Sequence, residues 1–337
     1  GLGNEIHEEC LINKHARRNE ERIKLRPTQK DLASFERLIL GKQPAPGTQI
    51  ASACSFFKNA LAAGDLNGRP IDMSKLKDRL TSYLSLVSIR VEGDDSPHRI
   101  FESLNNTGTA LTASDLVRNH VFMRIAEEHE QIRAYSDYWY PMQASMEVTE
   151  GKSQLSDFFW RFAMKEGDLP RQAEVFESTR QYIDVQLDRH RRAMPEVLEE
   201  LSRYSQYYMR LWRPDEHEPI EQIKQRMSRL NVWEVDVAYP LLLHLCDKLD
   251  NGLLTDNEYA TVLDMVESYV VRRFVCGIPT NRLRHVFARM IRELRREDYV
   301  ASCGEFLCRN EWPDDQAFNE ALLRARLYLP GRLSRIR

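Results

Sequence analysis

From Thr112 onward, apolar residues return at spacings of three and four, and no other feature of the chain constrains its fold as tightly. Leu155, Phe158, Phe159 and Phe162 form one such stripe; Val262, Met265, Val266, Tyr269 and Val270 form another. An α-helix turns once every 3.6 residues, so each set lines one side of a helix and must be covered by a neighbour. Breaks fall at Pro141, Gly151, Gly167 to Pro170, Pro195, Pro214, Pro219, Asn251-Gly252, Gly277 to Pro279 and Pro313. Such punctuation predicts a succession of helices with no strand after Thr112.

The first part of the chain reads differently. Glu9 to Lys14 and Arg22 to Arg26 are expected as short strands around a charged turn, with Pro27 ending the second. Thr28 is expected to cap a helix running through Leu40, with Leu32, Phe35, Leu38 and Ile39 on one side. Gly41 to Gly47 reads as a linker, Ile50 to Ala63 as a helix, and Gly64 to Gly68 as a turn. Tyr83 to Val91 is rich in β-branched residues and predicts a strand. The expected fold is therefore mainly α: a small α/β portion over residues 1–95, then a multi-helix domain over residues 96–337.

At 337 residues, 42% hydrophobic and 29% charged, the chain has the composition of an ordinary globular protein. No apolar run reaches the roughly 20 residues of a membrane span. Six scattered cysteines do not form the dense framework of a small secreted domain, so a cytoplasmic setting is expected. Cys303 and Cys308 lack zinc-ligand spacing, and no metal site is expected in this chain. The net charge is −3, but it is unevenly spread: residues 272–337 hold 14 basic and 8 acidic residues, a surplus of six, leaving −9 on residues 1–271. A basic end behind an acidic body is the asymmetry expected where one end faces phosphate.

The most specific string runs from Arg99 to Asn119: Arg-Ile-Phe-Glu-Ser-Leu-Asn-Asn-Thr-Gly-Thr-Ala-Leu-Thr-Ala-Ser-Asp-Leu-Val-Arg-Asn. Ser96-Pro97 supplies an N-cap and a first-turn proline for one helix. Gly108 breaks that helix, and Thr112 caps the next with Asp115 three residues on, in the manner of a capping box.

This string resembles the Phe-Glu-x-Leu-Asn-x-Thr-Gly-x-x-Leu-x-x-x-Asp-Leu-x-Arg-Asn signature of the GmrSD-type restriction family. The matching positions are Phe101, Glu102, Leu104, Asn105, Thr107, Gly108, Leu111, Asp115, Leu116, Arg118 and Asn119. Weaker resemblances lie at Glu267 to Gly277 and at Trp312 to Tyr328. The resemblance implies a parent protein with a ParB-like nucleotide-hydrolysing domain, a helical region and an HNH nuclease, restricting modified foreign DNA. It also implies that the parent uses a nucleoside triphosphate and a divalent metal. The Asp-Gly-Gln-Gln-Arg motif and the nuclease motif are both absent here. The expectation is an inner span of a longer protein, with no catalytic residue and no cofactor of its own. The alternative is a non-catalytic helical adaptor that binds a protein partner in a bacterial defence system, or a second copy of itself.

Two sets of candidate residues follow. Glu102, Asn105, Thr107, Gly108, Asp115, Arg118 and Asn119 belong to the signature, which the resemblance sets near the nucleotide. The plainer role for Asn105 and Thr107 is to tie down the glycine turn. Asp115 either caps its helix or pairs with Arg118, whose planar fork also suits phosphate. For DNA contact the candidates are Arg282, Arg284, Arg289, Arg292 and Arg296, within a run that also holds His285 and Arg295. On one continuous helix, Arg282, His285, Arg289, Arg292 and Arg296 would share an arc of about 80°. Glu293, Glu297 and Asp298 allow the alternative of a simply solvated surface.

Arg272 and Arg273 are expected to pair with Glu267 or Asp264, and Arg189 to Arg192 to sit at an exposed helix end. Tyr138, Trp139, Tyr140, Tyr204, Tyr207 and Tyr208 could stack on bases. In helical contexts such rings more often belong to the core.

Overall fold

The computed structural model describes residues 2–16, 22–25, 27, 29–65, 68–85, 111–149 and 152–324. The chain divides into two compact units, residues 1–97 and 98–337. It is mainly helical throughout.

In the first unit, α1 (Leu2–Ile6) runs on as a π turn over His7–Leu11. The strands expected on either side of the charged turn shrink to one antiparallel bridge, Ile12 to Ile23. Asn13 N donates to Arg22 O at 2.8 Å and Lys24 N to Leu11 O at 2.9 Å. Three helices follow: α2 (Gln29–Ile39), α3 (Gln49–Ala63) and α4 (Met73–Ser82). Thr28 lies outside the described residues. Thr48 caps α3 by accepting from Ala51 N, and Asp72 caps α4 by accepting from Ser74 N and Lys75 N. Tyr83 does not open a strand. Its N–H bonds back to Arg79 O and closes α4, because the helical bonding of the preceding turn outweighs its β preference. The rest of that expected strand, from Leu86 to Val91, is outside the described residues.

The second unit carries the main core. Its elements are α5 (Ala113–Met123), α6 (Glu128–Ala134), a π turn at Tyr135–Trp139, and α7 (Tyr140–Ser145). The hairpin β1 (Glu147–Thr149) and β2 (Lys152–Ser153) leads into α8 (Leu155–Ala163). This hairpin corrects the expectation of helix alone after Thr112. After a 3-10 turn at Gln172–Glu174 come α9 (Val175–Asp184) and a π turn at Val185–Arg189. Next are α10 (Met194–Trp212), α11 (Pro214–His217), α12 (Glu221–Val232) and α13 (Tyr239–Asp250). The unit closes with α14 (Asp256–Val275), α15 (Leu283–Glu293), α16 (Tyr299–Arg309) and α17 (Asp315–Arg324).

Pro141 does not interrupt its helix as expected. Tyr140 N reaches Tyr135 O, a bond one residue longer than the α pattern. Because the π turn has already shifted the bonding register, the proline, with no N–H to give, follows without ending the helix.

The stripe on α8 packs as its periodicity requires: Leu155, Phe158, Phe159 and Phe162 are all buried. Phe159 stacks on Trp139 at 5.9 Å between ring centres, Phe158 meets Tyr208 at 5.8 Å and Phe162 meets Tyr204 at 5.2 Å. Trp139, Tyr204, Tyr207 and Tyr208 are therefore core residues. Offset and edge-to-face pairs of this kind each add about 0.5–1.5 kcal/mol beyond area burial.

Candidate nucleic-acid interface

Gly277 turns the chain at φ +70° after α14, and α15 begins with Arg282 at its N-cap. Leu283, Phe287, Met290 and Ile291 are buried, which fixes the rotation of the helix and sends the intervening positions outward. Arg282, His285, Arg289 and Arg292 are all exposed. The continuous helix expected through Arg296 stops earlier. Leu294 is extended (φ −63°, ψ 132°), and Asp298 caps α16 by accepting from Ala301 N at 2.8 Å. Arg295 and Arg296 therefore sit in the connection between two helices, outside the helical register of the stripe. Arg284, a DNA-contact candidate outside the stripe, is half-buried, with its guanidinium 5.7 Å from the Trp160 ring centre.

Carboxylates and an amide hold several of these cations. Arg292 Nη2 donates to Asp168 Oδ1 at 2.6 Å, Arg295 Nη2 to Glu305 Oε1 at 3.0 Å, and Arg289 Nη2 to Asn310 Oδ1. Glu293 is drawn off the stripe to Arg309 at 3.1 Å. Arg282, His285 and Arg296 make no hydrogen bond or ion pair among the described residues.

The signature contributes its second half. Thr112 Oγ1 accepts from Asp115 N at 3.2 Å while Thr112 N donates to Asp115 Oδ2 at 3.1 Å, which is the expected capping box. Asp115 also pairs with Arg118 at 3.4 Å, and Asn119 is exposed. Ser114 N donates to Ser156 Oγ at 3.2 Å, tying the start of α5 to α8. Glu102, Asn105, Thr107 and Gly108 lie outside the described residues.

Other charged groups have partners that sequence spacing did not indicate. Arg272 pairs with Asp315 at 2.5 Å and Arg273 with Glu311 at 3.1 Å, not with Glu267 or Asp264. Those two carboxylates are taken by Arg226 and Arg229 of α12, at 2.8–3.1 Å. The basic run at Arg189 is exposed up to Arg191 (φ +57°), but Arg192 turns inward to Glu200 at 2.5 Å.

Lys165, just after α8, is a centre that sequence reading missed. It is 6% exposed, ringed by Phe162, Tyr182 and Tyr204 at 5.0–5.2 Å from its ammonium. Glu166 lies 2.9 Å away and Glu200 3.7 Å. Glu200 also accepts from Tyr182 Oη and Arg192 Nη1, each at 2.5 Å. Burial alone would raise the Glu200 carboxyl, but the bonds from Tyr182 and Arg192 bring it below its ordinary value. Only the hydrophobic run ahead of Lys165 is visible in sequence; its partners come from other helices.

Among the described residues, no group of three or more His, Cys, Asp or Glu side chains is arranged to hold a metal. No described helix is long and apolar enough to cross a membrane. Compared with known protein families and with curated proteins, the chain finds no match.

Proposed function

We propose that this chain is the inner helical scaffold of a nucleotide-dependent, GmrSD-type DNA endonuclease, and that its own task is to hold DNA phosphate along the outer side of α15. The observation that carries this reading is the arrangement of exposed Arg282, His285, Arg289 and Arg292 on a helix whose opposite side is buried. From Arg282 to Arg292 such a helix covers about 15 Å, the axial length of four or five nucleotides of one strand. Each guanidinium offers five N–H groups, so the single bond from Arg292 to Asp168 leaves donors for phosphate. Backbone contacts of this kind give affinity without reading sequence.

In this reading the chain itself cuts nothing. Nucleotide hydrolysis, metal-dependent cleavage and recognition of modified DNA fall to other domains of the parent protein. Binding of a short labelled duplex, followed by fluorescence anisotropy at low salt, tests the reading. The double charge reversal Arg289→Glu with Arg292→Glu should weaken binding by on the order of tenfold per lost contact. Equal binding by the wild type and the variant would exclude α15 as the DNA face.

One observation favours the second reading, an adaptor for a protein partner. Phe56 and Phe57 on α3, and Leu80 on α4, are more than half exposed. Phe56 and Phe57 meet edge to face at 5.3 Å, and exposed apolar side chains that adjoin mark interaction surfaces.

A further inference from the structure

Beside α10 lies a groove of about 340 Å³ that the DNA reading does not use, walled by α7, α10 and α11. Met142 and Met209, both buried, form its apolar floor. Ser202 and Gln206 rise from α10, and Arg210 and His217 stand together on its lining. The Arg210 side chain is only 15% exposed, and its Nε donates to Glu218 Oε2 at 2.6 Å. Glu218 is itself buried, and its other oxygen accepts from Ile220 N at 3.0 Å. This carboxylate fixes the guanidinium from behind. The two terminal nitrogens of Arg210 donate to no described residue. A sequestered guanidinium with four such N–H groups calls for an acceptor pair, and a planar carboxylate matches the fork in two parallel bonds. Of the hydroxyls on the lining, Ser145 Oγ donates to Met142 O and Ser205 Oγ to Ser202 O, and neither accepts from Arg210.

We propose that this groove binds a small organic monocarboxylate, its carboxylate on the open edge of Arg210 and its apolar body over Met142 and Met209. The volume is at the lower end of the range for ligand pockets, which sets the size of the guest. His217, exposed at the same end, completes the lining with its Nε2 3.8 Å from Glu216.

Calorimetric titration of the purified chain with benzoate, benzamide and inorganic phosphate tests the assignment. Benzoate should bind saturably, with benzamide and phosphate each about tenfold weaker or worse, since one lacks the charge and the other the apolar body. Gln206→Trp fills the groove from an exposed position and should cut benzoate affinity at least about tenfold while leaving the melting curve in place. Arg210→Met combined with Glu218→Gln removes the fork without stranding a buried charge, and should do the same. If the double variant fails to fold, Gln206→Trp decides. No saturable benzoate binding, equal binding of benzamide, tighter binding of phosphate, or unchanged affinity in Gln206→Trp would each overturn the assignment.

Discussion

Arg292 on α15 reaches Asp168 on the loop after α8, Nη2 to Oδ1 at 2.6 Å, joining positions 124 residues apart in sequence. Gly167 makes the approach possible. It sits at φ +89°, and a Cβ there would lie 2.6 Å from Ala288 O and 2.8 Å from Arg292 Cγ. Gly167→Ala therefore meets a strained backbone angle and a neighbouring main chain that cannot move cheaply. The expected cost is about 1–3 kcal/mol, read as a lower denaturation midpoint in urea. An unchanged midpoint would mean that loop and helix are not packed this closely.

Asp168 occupies a position on Arg292 that a phosphate oxygen would otherwise fill. Asp168→Asn leaves the fold in place but frees the guanidinium and removes a negative charge from beside Arg292. Duplex affinity at low salt should rise by severalfold, with the salt slope changed by less than about one unit because Arg292 already counts among the phosphate contacts. If wild type and variant bind DNA equally, Arg292 does not touch phosphate.

Glu200 gathers two donors in the interior, Tyr182 and Arg192, and pairs by charge with Lys165 3.7 Å away. Glu200→Leu leaves the Tyr182 hydroxyl without its acceptor and takes one partner from Arg192 and Lys165, which keep Gln186, Glu196 and Glu166, at an expected cost of about 1–3 kcal/mol. Lys165→Met is milder, because Tyr182 and Arg192 remain on Glu200 and the methionine still fills the aromatic ring of neighbours. Thermal unfolding should rank wild type above Lys165→Met, and Lys165→Met above Glu200→Leu.

Burial holds His244 below its ordinary value of 6.5, and nearby Lys248 adds to this, while its Nδ1 bonds to Lys165 O at 3.0 Å. The folded state therefore resists a proton that the unfolded chain accepts. This contribution to stability is complete above pH 6.5 and is lost as pH falls below it. Urea midpoints measured between pH 8 and pH 5.5 should fall more steeply for wild type than for His244→Asn. Parallel curves would remove His244 from the account.

What could be read from the chain, and what could not, follows from how far apart the interacting groups lie. Thr112 and Asp115 are three residues apart, and their capping box was legible because capping is a local event. The stripe from Leu155 to Phe162 was legible because helical periodicity alone decides which side is buried. For Arg272 and Arg273, sequence spacing offers only the nearby Glu267 and Asp264, whereas their partners Asp315 and Glu311 become neighbours only through the fold. The smooth helical pattern puts Arg296 in the stripe, but the Asp298 cap of the next helix ends that pattern before it. The Lys165 centre and the Asp168–Arg292 pair were invisible for the same reason of distance.

The central claim is that α15 meets DNA through phosphate. Anisotropy of a labelled duplex, titrated with salt from 50 mM to 200 mM, tests it most directly. Contacts from Arg282, Arg289 and Arg292 predict a log–log slope of about −3, reduced by about one unit for each arginine replaced by alanine. A flat salt dependence, or a slope that the alanine variants leave unchanged, would contradict it.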